Sequence, residues 1–393
     1  MGAAGRDPPH DYDLVVNAVS VIAYFAGDPT RTYQLIQWLE VLDVLDEVHP
    51  VGLVLRDPES AAVIEQRTDL PVFTALTLAD LAELYAELDA KVVLYCNNSL
   101  QNFDSLLDSR RLHVHINHGE SDKQSMASNN AKAYDRVFVA GEAAVQRYVT
   151  ELLEFDARKL VRVGRPQLDL HPAPVLAASE RPTVLYAPTW EGDADYNDYT
   201  SVDVMGPALV RAVLAAPGLR LVYKPHPKVT TSRTPAVAQA HQAIVSLVAE
   251  AALHEPGAGH AAVLEGDILA VMPVCDAIVT DVSSVGLDWL YLHTDKPIVL
   301  TDRHGDLDRL HEHVPLSRCA DVVDRDGVER LTRLLPDRLE RDEHRLARTA
   351  MRHHYFDDLH VGDSTVRFLA SVSELVALRD RLLGEGAGAA ITA

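Results

Sequence analysis

The chain has 393 residues, 47% of them hydrophobic and 24% charged, and a formal net charge of −22. That length exceeds one small core and predicts two domains of ordinary size. So negative a balance excludes nucleic acid or an anionic membrane surface held by bulk electrostatics, and any phosphate compound must meet locally concentrated positive groups.

Residues 1–12 are polar and proline-rich and are expected to be disordered. The first long apolar stretch, Leu14 to Ala26, is interrupted by Asn17 and is too short to span a bilayer. Asp11 and Asp13 stand where a signal peptide carries a basic flank. The cysteines (Cys96, Cys275 and Cys319) show neither a disulfide framework nor zinc spacing. A cytoplasmic protein is expected.

Strands and helices then alternate. Leu14–Tyr24 reads as a strand, Thr30–Val44 as a helix, Val51–Leu55 as a strand and Glu59–Arg67 as a helix. Pro71–Ala75, Lys91–Cys96, His113–Asn117 and Arg136–Ala140 are further strands, followed by helix Glu142–Phe155 and strand Leu160–Gly164. This pattern predicts a doubly wound parallel sheet. A proline-punctuated segment, Arg165 to Pro182, interrupts it. The alternation restarts with strand Thr183–Ala187, helix Met205–Ala215, strand Leu219–Tyr223 and helix Val237–Ala252. Strand Ala277–Thr280, helix Val285–Leu292 and strand Pro297–Leu300 follow, then helical runs at Gly327–Leu335, His344–Tyr355 and Thr365–Leu383. The expected division is a first domain over 13–170, a linker over 171–182 and a second domain over 183–364. The last helix is expected across the junction, and Gly384–Ala393 as a frayed tail.

In such sheets ligands bind at the carboxyl ends of strands, and each polar cluster of this chain lies at one. His113-Val-His-Ile-Asn-His-Gly119 places His113, His115 and Asn117 on one strand face, with His118 at its end and Lys123 shortly beyond. A zinc reading lacks the helical i, i+4 pairing of common motifs, and no metal site is assigned. The Gly164-Arg-Pro turn either aims Arg165 at a ligand or simply turns the chain. After Leu185-Tyr-Ala-Pro, Thr189 and Trp190 close a strand, the indole suited to a base or to the core. In Lys224-Pro-His-Pro227 two prolines hold Lys224 and His226 extended, suited to phosphate contact or proton transfer. Finally, Asp276 to Leu290 reads as strand, polar turn and helix, with Ser283 and Ser284 at the helix start. Those serines either cap the helix or, with its N–H groups and dipole, hold an anion.

Taken in order, the motifs resemble those of the CDP-glycerol glycerophosphotransferase family, the primases and polymerases of teichoic-acid synthesis. The matching pieces are His118-Gly119 with Lys123, Gly164-x-Pro-x-x-Asp169, Leu185-Tyr-Ala-Pro-Thr-Trp190 and Lys224-Pro-His-Pro227. Thr280-Asp-x-Ser-Ser-x-x-x-Asp288 and Thr294-Asp-Lys-Pro297 complete the set. The resemblance implies a GT-B fold of two Rossmann-like domains with parallel sheets facing a central cleft, the acceptor on the first and a CDP-linked donor on the second. It implies transfer of glycerol phosphate to an alcohol with release of CMP. His118 is then the general base and His226 a donor to the pyrophosphate. Lys224 adds charge, Ser283 and Ser284 hold phosphate, and Asp288 orients. Lys123, Arg165, Thr189, Trp190 and Asp281 complete the expected substrate contacts.

No cofactor is required by this resemblance, and assistance by Mg²⁺ is left open. The implied partners are CDP-glycerol or CDP-ribitol and a glycan, polymer-end or lipid-linked acceptor, without nucleic acid. Membrane contact is at most peripheral, at the inner face. One departure is Glu120-Ser121, where the family carries Thr-Pro. Two other readings stay open: a GT-B glycosyltransferase or epimerase using a UDP-sugar, and a non-catalytic nucleotide-binding relative.

Overall fold

The computed structural model describes residues 19–123, 126–170, 172–192 and 194–389, with side chains described as far as residue 384. The expected disordered start (1–12) lies outside the described residues. Of the expected frayed tail, residues through Ala389 continue the last helix and 390–393 lie outside.

The chain divides into two compact units. One comprises the residues up to His118, Ala127–Leu170 and those from Gly362 onward; the other comprises Gly119–Met126 and His171–Val361. The first is built on a seven-stranded sheet of β1 (Val21–Phe25), β2 (Val51–Leu55), β3 (Val72–Thr74), β4 (Val92–Tyr95), β5 (Leu112–His115), β6 (Arg136–Val139) and β7 (Leu160–Arg162). The second contains β8 (Thr183–Ala187), β9 (Arg220–Tyr223), β10 (Ala261–Ala262), β11 (Ala277–Thr280), β12 (Ile298–Asp302) and β13 (Asp321–Asp324).

Strand order is β3-β2-β1-β4-β5-β6-β7 in the first sheet and β10-β9-β8-β11-β12-β13 in the second. Every pairing is parallel. Both sheets therefore reverse direction once, at β1/β4 and at β8/β11, and such a reversal opens a crevice at the strand ends. The strands that build these points, such as Val-Ile-Ala-Tyr-Phe of β1 and Thr-Val-Leu-Tyr-Ala of β8, are buried along their whole length. Continuous burial is what a sheet covered by helices on both faces requires.

Register aligns the edge that matters. Tyr186 pairs with Tyr223, Ala187 with Thr280, and Thr280 with Leu300. The residues after Tyr223, Ala187 and Thr280 therefore leave the second sheet close together, beside Thr301, where β12 continues to Asp302.

Several elements differ from the sequence expectation. The single helix over 30–44 is three short pieces, Pro29–Arg31, Tyr33–Ile36 and Leu39–Asp46. At the second break Trp38 is buried, donates from Nε1 to the Asn117 carbonyl at 2.6 Å and packs on Phe368. Burying that indole with its N–H satisfied outweighs a continuous helix. β10, β13 and the Leu307–His313 helix were not expected. β10 has two residues and β13 reads Asp-Val-Val-Asp, so neither shows a sustained apolar signal. The Pro235–His254 helix is, by length and a mean hydropathy of 1.3, apolar enough to cross a membrane. Here Val237, Ala240, Ile244 and Val248 are buried in the core of the second unit.

Candidate active site

Asp281 is the keystone of the second unit. It follows β11 and is fully buried. Its Oδ2 accepts from the N–H of Thr189 at 2.7 Å and of Ser201 at 3.2 Å, and its Oδ1 from Thr301 Oγ1 at 2.6 Å. One carboxylate thus fixes the chain leaving β8, the 200–201 turn and the end of β12. Burial pushes its pKa up to about 6, against the lowering by these donors. Both Asp281 oxygens are engaged by the protein, and the residue positions these loops. Thr280 reinforces the same edge, donating from Oγ1 to the Ala187 carbonyl at 2.8 Å.

Two residues on, the Ser284–Leu292 helix begins with Ser283 as its N-cap residue, in extended conformation. The Ser283 side chain makes no capping hydrogen bond, and no acidic residue lies in the first turn. Ser283 Oγ is buried and has no hydrogen-bond partner among the described residues. The serines therefore leave a helix N-terminus whose donors and dipole remain for an anion. Asp288, one turn further along, is buried.

Gly119 lies against this helix start. A Cβ on it would stand 3.2 Å from Ser284 Cβ, so a larger residue would push the segment away. The same segment carries Lys123, whose Nζ lies 3.4 Å from Thr189 Oγ1 and 5.9 Å from the centre of the Tyr199 ring. Burial lowers the Lys123 pKa to about 8, although Asp281 and Asp198 oppose the shift. Glu120 and Ser121, the departures from the family pattern, are each only 5% exposed.

The chain leaving β8 and the chain leaving β9 meet at Trp190. Its ring stacks on His226 with centroids 6.2 Å apart, and Lys228 Nζ lies 3.7 Å from the indole centroid. His226 is the N-cap of the Pro227–Thr230 turn, and its Nδ1 accepts from the Lys228 N–H at 3.2 Å. That bond places the proton of the neutral ring on Nε2, making Nε2 the donor. Lys224 is 3% exposed, and burial lowers its pKa against the pull of Asp267 and Glu265.

In the first unit β5 ends at His115, and Asn117 adopts φ 52°, in the left-handed region. The expectation that His113, His115 and Asn117 share a strand face is corrected by that turn. Asn117 Oδ1 accepts from the His118 N–H at 2.9 Å, and the Tyr33 ring stands edge-on to the His118 ring at 5.9 Å. His113 is a core residue, bonded to Tyr95 Oη and the Asp108 carbonyl at 2.7 Å each. His115 is fully buried and stacked on Tyr134, and burial drives its pKa down to about 3.

Arg165 is buried in the same unit. Its N–H donates to Ser364 Oγ at 3.1 Å and its Nε to Gln167 Oε1 at 3.3 Å. Asp169 accepts from the N–H of Gly362 at 2.7 Å and of Thr365 at 2.6 Å. The Gly164-to-Asp169 motif thus anchors the start of the Asp363–Ala389 helix.

Lys123, Thr189, Trp190, Lys224, Asp281, Ser283, Ser284, Asp288 and His226 thus belong to the second unit, where Lys123 meets Thr189, Thr189 meets Asp281 and Trp190 meets His226, whereas His118 and Arg165 belong to the first. Sequence reasoning missed Ser201 and Thr301, which secure Asp281, and Lys228, which covers Trp190. No spacing announces the first two. Lys228 sits two residues past His226 and was the more discoverable.

A family model described as CDP-glycerol:poly(glycerophosphate) glycerophosphotransferase matches residues 109–307, just over half of the chain. The chain belongs to this family. No curated protein matches the sequence. Among solved structures, the wall teichoic acid polymerase TagF, solved with CDPG, aligns with a TM-score of 0.57 and 10% identity over 94% of this chain and 92% of that one. The UDP-GlcNAc 2-epimerase of Neisseria meningitidis aligns with a TM-score of 0.57 and 11% identity, covering 91% of this chain and 100% of the other. A glycosyltransferase of Rickettsia africae gives 0.55 and 12%, covering 92% and 99%. At these identities the likeness is one of fold: GT-B, two Rossmann-like α/β units.

Proposed function

We propose that this transferase moves a polyol phosphate, glycerol phosphate in the first instance, from a CDP-linked donor to an acceptor hydroxyl and releases CMP. A polymer of the teichoic-acid or capsular kind is the product, made on the cytoplasmic side with at most peripheral membrane contact. The observation that carries the reading is the start of the Ser284–Leu292 helix, which the Ser283 side chain does not cap and where the buried Ser283 hydroxyl meets no partner among the described residues. Family membership supports a nucleotide-linked donor, and TagF, solved with CDPG, is a structural relative consistent with it.

The chemistry follows from the groups present. The acceptor oxygen attacks the β-phosphorus, the bond to the bridging oxygen breaks, and CMP leaves with that electron pair. His118 takes the acceptor proton. Nε2–H of His226 donates to the pyrophosphate, while Lys123, Lys224, the helix N-terminus and the two serines offset charge on the phosphate oxygens. Trp190 and Thr189 shape the donor side, and Asp288 orients. The test is CMP release from CDP-glycerol by the full chain, with CDP-ribitol and UDP-GlcNAc alongside. Release from a CDP-polyol that disappears in His226→Ala is the expected result. Turnover of the UDP-sugar alone overturns the reading.

A further inference from the structure

Glu191 is a charged residue that the proposed reaction does not use. It follows Trp190 on the chain leaving β8. Its Oε1 accepts from Ser232 Oγ, and Ser232 lies just past the Pro227–Thr230 turn that His226 caps. This bond ties the loop after β8 to the loop after β9, the two loops whose side chains meet as Trp190 stacked on His226.

The other carboxylate oxygen, Oε2, is buried and meets no donor among the described residues. Leaving a carboxylate oxygen out of water without a donor is costly, and the bond to Ser232 holds it there. An ionised carboxylate only accepts hydrogen bonds, and it repels phosphate. The complementary group is therefore an uncharged hydroxyl on a ligand that elsewhere carries phosphate. Lys228 lies on the indole of the adjacent Trp190, so cationic and hydroxyl-reading groups stand side by side.

We infer that Glu191 is a specificity residue whose Oε2 accepts a hydrogen bond from a hydroxyl of the donor, on either its ribose or its polyol. This rests on the CDP-polyol reading above. The helix start and Lys123 then hold the phosphates, and Glu191 reads what is attached to them.

The experiment compares binding of CDP, 2′-deoxy-CDP, CDP-glycerol and inorganic pyrophosphate to the full-length chain, to Glu191→Ala and to Ser232→Ala, by calorimetry. A charge-assisted hydrogen bond predicts a preference for the hydroxyl-bearing ligand of about tenfold to a hundredfold in the wild type. If the ribose is read, CDP binds more tightly than 2′-deoxy-CDP and Glu191→Ala removes the difference. If the polyol is read, CDP-glycerol binds more tightly than CDP, and that difference disappears instead. In either case pyrophosphate binding is unweakened in Glu191→Ala, and Ser232→Ala shows a smaller loss of the same preference. Equal weakening of all four ligands, or preferences unchanged by Glu191→Ala, overturns the inference while the CDP-polyol reading stands. A wild type that binds none of the cytidine compounds removes both.

Discussion

The two units share a strand order and differ in what they place at the point where that order reverses. In the first, β4 ends in Asn97 and Ser99. The Asn97 amide donates to Gln34 Oε1 at 3.1 Å, and its carbonyl accepts from Asn102 at 2.7 Å. In the second, β8 and β11 end in Thr189 and Asp281, followed by an uncapped helix start, with lysines close by. One scaffold thus carries a neutral amide turn in one unit, and in the other a buried carboxylate that fixes the chain after β8, the 200–201 turn and β12. The lesson is that the fold supplies the crevice, whereas the residues just beyond the strands decide which charge it accepts.

The sharpest way to break this contrast is to remove the imidazoles. His118→Ala and His226→Ala are each expected to lower kcat about 10²–10⁴-fold in CMP release with unchanged thermal unfolding. If one unit's histidine proves dispensable, the division of labour fails on that side.

Next in size is Asp281. Replacing it by Ala strands the Thr189 and Ser201 N–H groups and the Thr301 hydroxyl, a cost on the order of 3 kcal/mol that lowers Tm. The residue also has a pH signature. Its native pKa is raised to about 6 by burial, above the unfolded value of about 3.9. The native state therefore holds this proton more tightly, so the Asp281 contribution to stability falls as pH rises from about 4 to 6 and is constant above. The difference between wild type and Asp281→Asn, followed by denaturant unfolding across that range, isolates the effect. A difference that grows in the opposite direction contradicts the burial argument.

A smaller effect is expected at Lys123. With its pKa lowered to about 8, the ammonium is charged below that pH and loses charge above it. CDP binding should weaken by about tenfold between pH 7 and 9, and Lys123→Arg, which stays charged, should flatten that limb. Calorimetry at the two pH values decides it. The smallest effect sharpens the contrast from the first unit. Asp169→Ala should cost about 1–2 kcal/mol by exposing the N–H groups of Gly362 and Thr365, with CDP affinity unchanged. A loss of CDP affinity would show that this motif does more than anchor a helix.

Much of the candidate site in the second unit was legible in the sequence because its residues lie close along the chain. Thr280 to Asp288 is strand, turn and helix, and a local signal suffices to place that helix start. Pro225 and Pro227 likewise restrict His226 without tertiary help. The role of Asp281 was not legible, because its partners, Thr189, Ser201 and Thr301, come from three other segments. Nor was the fate of His113 and His115, since an imidazole on a strand declares neither which face it is on nor what covers it. Trp38 broke an expected helix for the same reason: its partners, Asn117 and Phe368, are remote in sequence.

By itself, then, the sequence determined the alternation of strands and helices, the positions of the strand-end motifs and the family. These depend on local periodicity and on residue order. Only the tertiary structure decided which polar groups are satisfied by the protein and which remain for a ligand. Asp281 accepts from three protein donors, whereas among the described residues Ser283 Oγ and Glu191 Oε2 meet no protein partner. The physical reason is that a hydrogen bond is completed by proximity in space, and parallel strands bring together residues that the chain keeps far apart.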